Sequence, residues 1–305
     1  MPFDRKTLVF PDSTRFEEYE IVTDGDVVVS DDVSLGFGIR TKERIFIGER
    51  AQIRGNLNAD KDIMIDSFSK IGGDVESSGN VYLGEKVLID GKLYVKGDLD
   101  VGNDVEIRKG FEAKGLISIR SPIPLIIYIF IYIAHLLKLG KSEEVERIMQ
   151  ELEQESNPIP VSKKFVFIPS GATIGTDSSK TPYSMKIGCN CKVVGNFDTG
   201  GDIKIGEDSL VYGSLSGSTI FVGSRAKIHG NISASGAVTL GENSKVIGNI
   251  YADVVFMPRS AVVEGTIMAK KGVVFSRVKE KEIKEKLKRF NAGVDVADEV
   301  GKLME

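Results

Sequence analysis

Tryptophan is absent from the 305 residues, and cysteine and histidine occur only twice each. Two cysteines, Cys189 and Cys191, cannot build a disulfide framework. Without a further Cys or His cluster they read as small half-buried thiols, not as metal ligands. Two histidines fall short of the three imidazoles of a zinc site of the γ-carbonic-anhydrase kind. His135 sits inside an apolar run and His229 takes an outward position between Ile228 and Gly230, so neither is placed as a general base. No P-loop is present, and Gly36-Phe37-Gly38 lacks the third glycine of a dinucleotide fingerprint. No apolar leader stands in MPFDRKTLVF, and the chain reads as intracellular and cytoplasmic. Charge of one sign is also lacking. With 40 Lys and Arg against 44 Asp and Glu the net charge is −4, which argues against nucleic acid as a partner. These absences assign no catalytic, cofactor or metal residue and point away from an enzyme.

Glycine, by contrast, is abundant, at 33 residues. Many of these glycines fall in a recurring motif, an Ile or Val, any residue, Gly, a polar residue and an apolar residue. The first half gives IRGNL (53–57), IGGDV (71–75), IDGKL (89–93) and a degraded IRKGF (107–111). Ile53, Ile71, Ile89 and Ile107 are each eighteen apart. The second half gives VVGNF (193–197), VYGSL (211–215), IHGNI (228–232), VIGNI (246–250) and VEGTI (263–267), with glycines spaced 18, 17, 18 and 17. Seven residues before most of these glycines stands another, and Asp66 and Pro258 replace it in two copies. Each repeat therefore has two marked corners, where Gly, and the Asn or Asp that often follows, tolerate positive φ. Between corners, apolar and polar residues alternate, which reads as short strands with one face buried.

A period near eighteen with three short strands per repeat describes a parallel β-solenoid. Antiparallel sandwiches do not hold a period to within a residue over nine copies. The expected fold is all-β, a β-helix in two blocks (21–119 and 161–276), preceded by a tail (1–20). An apolar helical insertion (120–160) joins the blocks and a basic helical tail (277–305) follows. One coil cannot bury its own apolar face, so stacking on the next coil supplies the core. Open end coils leave unpaired backbone groups and exposed apolar residues, and such edges template pairing. Val27, Val29 and Leu35 are expected at the open end of the first block. Val273, Val274 and Phe275 are expected at that of the second. Flanking segments capping these ends are the alternative.

The runs GNISASGAVTLGENSKVIGNIYADVVFMPRSAVVEGTI (230–267) and RGNLNADKDIMIDSFSKIGGDV (54–75) resemble the bactofilins, the polymer-forming cytoskeletal family. The resemblance implies a right-handed β-helix that polymerises end to end without nucleotide, in cytoplasmic filaments or membrane-bound scaffolds. The second block and the helical insertion depart from the family's usual single domain. A left-handed hexapeptide-repeat acyltransferase has similar texture and is the alternative.

The insertion contains SPIPLIIYIFIYIAHLLKLG (121–140), in which only His135 and Lys138 interrupt the apolar run from Leu125 to Leu139. The run is a little short for a bilayer span. Two readings stay open. Leu125, Ile126, Ile127, Ile129, Phe130, Ile131 and Ile133 enter one leaflet of a membrane, helped by flanking cations, or they pack on protein as a buried helix or subunit contact. The acidic stretch 141–156, with Ser142 as N-cap, and the basic stretch 276–293 each read as an amphipathic helix. The partners expected are further copies of the chain and lipid.

Overall fold

The computed structural model describes residues 6–119, 123–138, 144–145, 147 and 161–275. The strands are two to four residues long and form three long sheets of 14, 12 and 12 strands, the flat faces of one column. We call the 14-stranded sheet the long face. The second face contains Gln52–Ile53 and the third contains Leu57–Ala59. Successive coils stack in parallel at the period read from the sequence: Lys70 and Ile71 align with Gln52 and Ile53 below and with Leu88 and Ile89 above. Because the offset is a whole coil, every inward Ile, Val or Leu falls on its equivalent. The result is one hydrophobic cluster running through both blocks.

The corner residues show why the repeat is written as it is. In the second block the polar residue after each glycine but the last receives a hydrogen bond from the next coil. The Ser214 N–H donates to Asn196 Oδ1 (2.8 Å), that of Asn231 to Ser214 Oγ (3.1 Å) and that of Asn249 to Asn231 Oδ1 (2.9 Å). The Thr266 N–H donates to Asn249 Oδ1 (2.8 Å). The side chain thus satisfies a backbone donor that the turn leaves without a ladder partner. At the glycine itself a Cβ is excluded by the coil below, since one added at Gly248 would collide with the carbonyl of Gly230. Left-handed backbone falls mostly on other residues, two positions past the first corner glycine, such as Arg50, Lys86, Asn190 and Asn243, although Gly195 and Gly213 also take positive φ.

The two blocks meet at their N-terminal ends and wind outward in opposite directions. The long face runs from Ile117–Ile119 at one tip to Val273–Phe275 at the other, with Asp26–Val29, Phe165–Ile168, Leu8–Phe10 and Met185–Ile187 adjacent in its middle. The first coil of each block comes from the other side of the chain. Phe165–Ile168 pairs in parallel with Asp26–Val29 of the first block, and Leu8–Phe10 pairs in parallel with Met185–Ile187 of the second. Between these two coils lies an antiparallel joint at Val9 and Phe167. Hairpins then turn each chain back into its own block, Arg15–Glu17 onto Glu20–Thr23 and Thr173–Ile174 onto Ser178–Thr181. The arrangement approximates a two-fold axis that exchanges the second and third faces. In the first block the long face leads to the second face, whereas in the second block it leads to the third.

Residues 8–17, expected in an N-terminal tail, are therefore part of the column. Leu8 and Phe10 are fully buried and Phe16 almost so. The Phe16 ring stands edge-on to Phe10 (5.3 Å) and to Phe37 (5.1 Å), and Phe10 to Phe197 (6.4 Å), so aromatic packing bridges the joint. Asp26 is wholly buried beside it, held by the Arg44 guanidinium (2.8 Å) and the Ser162 N–H (2.6 Å). Burial alone would raise its carboxyl pKa, but these donors outweigh burial and hold it below the usual carboxylate range.

Candidate assembly surfaces

A solenoid that is closed in its middle exposes coil edges only at its ends. Both ends here are the C-terminal coils of their blocks. At the first tip the edge strands are Glu106–Ile107, Phe111–Ala113 and Ile117–Ile119, and among the described residues each pairs on one side only. Phe111, Leu116, Ile117 and Ile119 are exposed there, Ile119 to 77%. At the second tip the edge strands are Val262–Val263, Ile267–Ala269 and Val273–Phe275, with Val262, Met268, Val274 and Phe275 exposed. Phe111, Ile117 and Phe275 continue inward ladders whose preceding members, Leu93, Leu99 and Met257, are buried, whereas Val262, Met268 and Val274 continue outward ones. The tips thus present the cross-section of a core, edged by strands that pair on one side among the described residues.

Of the residues expected at open ends, Val273 is half-buried and Val274 and Phe275 are exposed, on the edge strand of the second tip. Val27, Val29 and Leu35 are placed elsewhere. They are buried, in register with Val166, Ile168 and Ile174 of the exchanged coil. Their end of the block is closed inside the column, and the first block opens at residues 106–119 instead. The corner signal that could reveal the exchanged coils is a proline form. Phe10-Pro11-Asp12-Ser13-Thr14 and Ile168-Pro169-Ser170-Gly171-Ala172 match Met257-Pro258-Arg259-Ser260-Ala261. Ser13 and Gly171 take the same positive φ as their counterparts in the other coils.

The insertion contains a helix at Ile123–Lys138. Its side chains are described from Phe130 onward, so the contacts of Leu125, Ile126, Ile127 and Ile129 lie outside the described residues. Phe130 and Ile131 are exposed, Ile133 is half-buried and Leu136 is buried. Among the described residues no helix is long and apolar enough to cross a membrane. The expected helices at 141–156 and 276–293 lie outside the described residues, save that 144, 145 and 147 are helical.

Chemically reactive groups are dispersed. Burial pushes the Cys191 thiol up to about 12, and it hydrogen-bonds to the Pro11 carbonyl (3.1 Å). Burial also raises Cys189. His229 lies on an outer face with its ring 4.7 Å from that of Tyr212, and His135 is exposed on the helix. A shallow open hollow of about 290 Å³ beside Lys180 and Asp198 holds one acid and one base. Among the described residues no three metal-binding side chains converge.

Residues 167–277 match the family model Bactofilin, described as polymer-forming cytoskeletal. The match covers the second block through its open tip and leaves the first block, which winds in the same way, outside it. No curated protein and no solved structure matches the chain.

Proposed function

We infer that this chain, which carries a bactofilin domain at residues 167–277, is a non-enzymatic scaffold that self-assembles end to end through its two open tips, without nucleotide. The observation that carries this reading is the pair of exposed core cross-sections at Ile117–Ile119 and Val273–Phe275. Removing an exposed Ile or Phe side chain from water favours association by roughly 1.5–3 kcal/mol each. Completing three edge strands adds backbone pairing on the side that carries none among the described residues. Both tips end chains that wind outward from a common centre, so strands meeting across any tip-to-tip joint run antiparallel. The central joint at Val9 and Phe167 is an example of that pairing within the molecule. The supply of ends also sets the valence at two per molecule, since Val27, Val29 and Leu35 are already used inside. The cytoplasm is the expected location. The helix at Ile123–Lys138, with Phe130, Ile131, Tyr132 and Leu137 exposed, supports attachment to one leaflet of a membrane.

Negative-stain microscopy of the purified protein in nucleotide-free buffer tests the assembly. Filaments are expected from the wild type, and shortened or absent ones from Phe275→Asp and from Ile117→Asp, whose charge would be buried in the joint. Filaments that persist in the double variant would remove the tips from the account. Flotation with liposomes, wild type against a deletion of 123–137, tests the helix. Equal flotation by the two proteins refutes the attachment.

A further inference from the structure

At several outer positions of the column, opposite charges face each other on neighbouring coils. Asp32 faces Arg50, Asp24 faces Lys42, and Asp208 faces Arg225. This follows from the geometry, because equivalent side chains on neighbouring coils stand about 4.8 Å apart and like charges there repel. The third face of the second block breaks the pattern. Its outward ladder reads Arg15, Lys192, Leu210, Lys227, Lys245 and Val262 on successive coils. Four cations on five rungs span about 19 Å. The ladder beside it carries Tyr212 and His229, stacked at 4.7 Å, with the Lys192 ammonium 6.0 Å from the Tyr212 ring. Glu17 approaches Arg15 (3.5 Å) and Glu264 pairs with Lys245 (2.6 Å). Among the described residues no carboxylate lies on Lys192 or Lys227.

The fold does not require this ladder. The near-two-fold axis sets it against the second face of the first block, where the corresponding ladder reads Thr173, Ser34, Gln52, Lys70, Leu88 and Glu106. That ladder stacks as well with a single lysine. The charge difference extends to whole blocks. Residues 6–119 carry 15 Lys and Arg against 22 Asp and Glu, a net −7, whereas residues 161–275 carry 12 against 8, a net +4. A run of stacked cations that opposes folding and that the equivalent face does without is a feature kept for an anionic partner.

We propose that the third face of the second block is a docking surface for a bilayer carrying anionic headgroups, with Arg15, Lys192, Lys227 and Lys245 as its contacts. The four side chains project from one flat sheet, so a plane of negative charge meets all of them at once. The face is a sheet of short strands, so it recognises the sign of charge and not the shape of a ligand. Leu210, Tyr212 and Val262 intersperse apolar and amphipathic groups suited to the headgroup region. The surface lies on the side of the column and needs neither the tips nor the 123–138 helix. In a polymer, however, it would be repeated along one line, and weak single contacts would add up.

Flotation of the full chain with phosphatidylglycerol-rich and with neutral phosphatidylcholine vesicles tests it, at low and at high salt. The wild type is expected to partition more strongly to the anionic vesicles, with the excess lost in high salt. Lys192→Gln with Lys227→Gln should cut that excess about 25-fold, from about fivefold per cation near the surface. Lys70→Gln, on the equivalent ladder, should leave it unchanged. The double variant should melt no lower than the wild type, because it relieves repulsion, whereas a structural role for the lysines would lower its melting temperature. The anionic excess should survive deletion of 123–137, so loss of helix attachment is distinguishable from loss of this surface. Equal binding to both vesicle types, or an excess indifferent to the double variant, overturns the proposal. So does a salt-sensitive cross-link between this face and the acidic residues 141–156, with no vesicle binding, which would give the ladder to that segment.

Discussion

Truncating Phe10 to alanine tests whether the first residues of the chain are a coil of the second block. The side chain is fully buried, its ring meets Phe16 and Phe197 edge-on, and its strand aligns with Met185–Ile187. Phe→Ala in a packed core costs about 3–5 kcal/mol. Two aromatic contacts and a site pinned between two rigid coils, with little freedom to collapse, place this substitution in the upper half, near 4–5 kcal/mol. An exposed tail would give less than about 0.5 kcal/mol for the same change. Equilibrium urea unfolding followed by far-ultraviolet circular dichroism reads the difference. Hydrogen exchange localises it, because the Gly188 and Lys192 amides donate to the Phe10 and Thr14 carbonyls (2.8 and 2.9 Å) and should lose protection first. A loss below about 1 kcal/mol with both amides still protected would refute the exchanged-coil joint.

Asp26 supplies a pH-dependent component. Its carboxyl is held below the usual range in the folded state, so its contribution is present above about pH 4 and is lost as pH falls through the lowered folded value. Asp26→Asn should therefore melt below the wild type by a constant margin from pH 7 to 5, and the margin should narrow under pH 4. A margin independent of pH would show that Arg44 and Ser162 do not hold the charged form. Cys191, with its thiol pushed up to about 12 by burial, should resist a thiol-reactive dye at pH 8 until the protein is unfolded. Rapid labelling of both thiols in the native state would contradict the packing of Pro11 over that corner.

Much of the column was legible because its physics is local and periodic. Ile53, Ile71 and Ile89 are eighteen apart, and they stack one above the next. The alternation between corners marks the inward residues. The joint was not legible for a related reason. Leu8–Phe10 pairs with a strand 177 residues away, and its corner carries Pro11 in place of the glycine. The order of coils in space is likewise hidden, since nothing in a repeat states which of its ends meets another block. Hence Val27, Val29 and Leu35 read as an open end, whereas Val273, Val274 and Phe275 fall on one. The basic ladder is hidden in the sequence because Arg15, Lys192, Lys227 and Lys245 are scattered along it and align only when the coils are stacked.

The axial repeat of an assembled filament tests the account most directly. Fourteen rungs on the long face, each about 4.8 Å, predict one molecule every 67 Å or so when tips join without a gap. Electron cryomicroscopy should then show a strong layer line near 4.8 Å and a repeat of about 67 Å, or of twice that where like tips meet. Discrete particles of a single column in nucleotide-free buffer, or filaments whose strands do not stack along the axis, would contradict it.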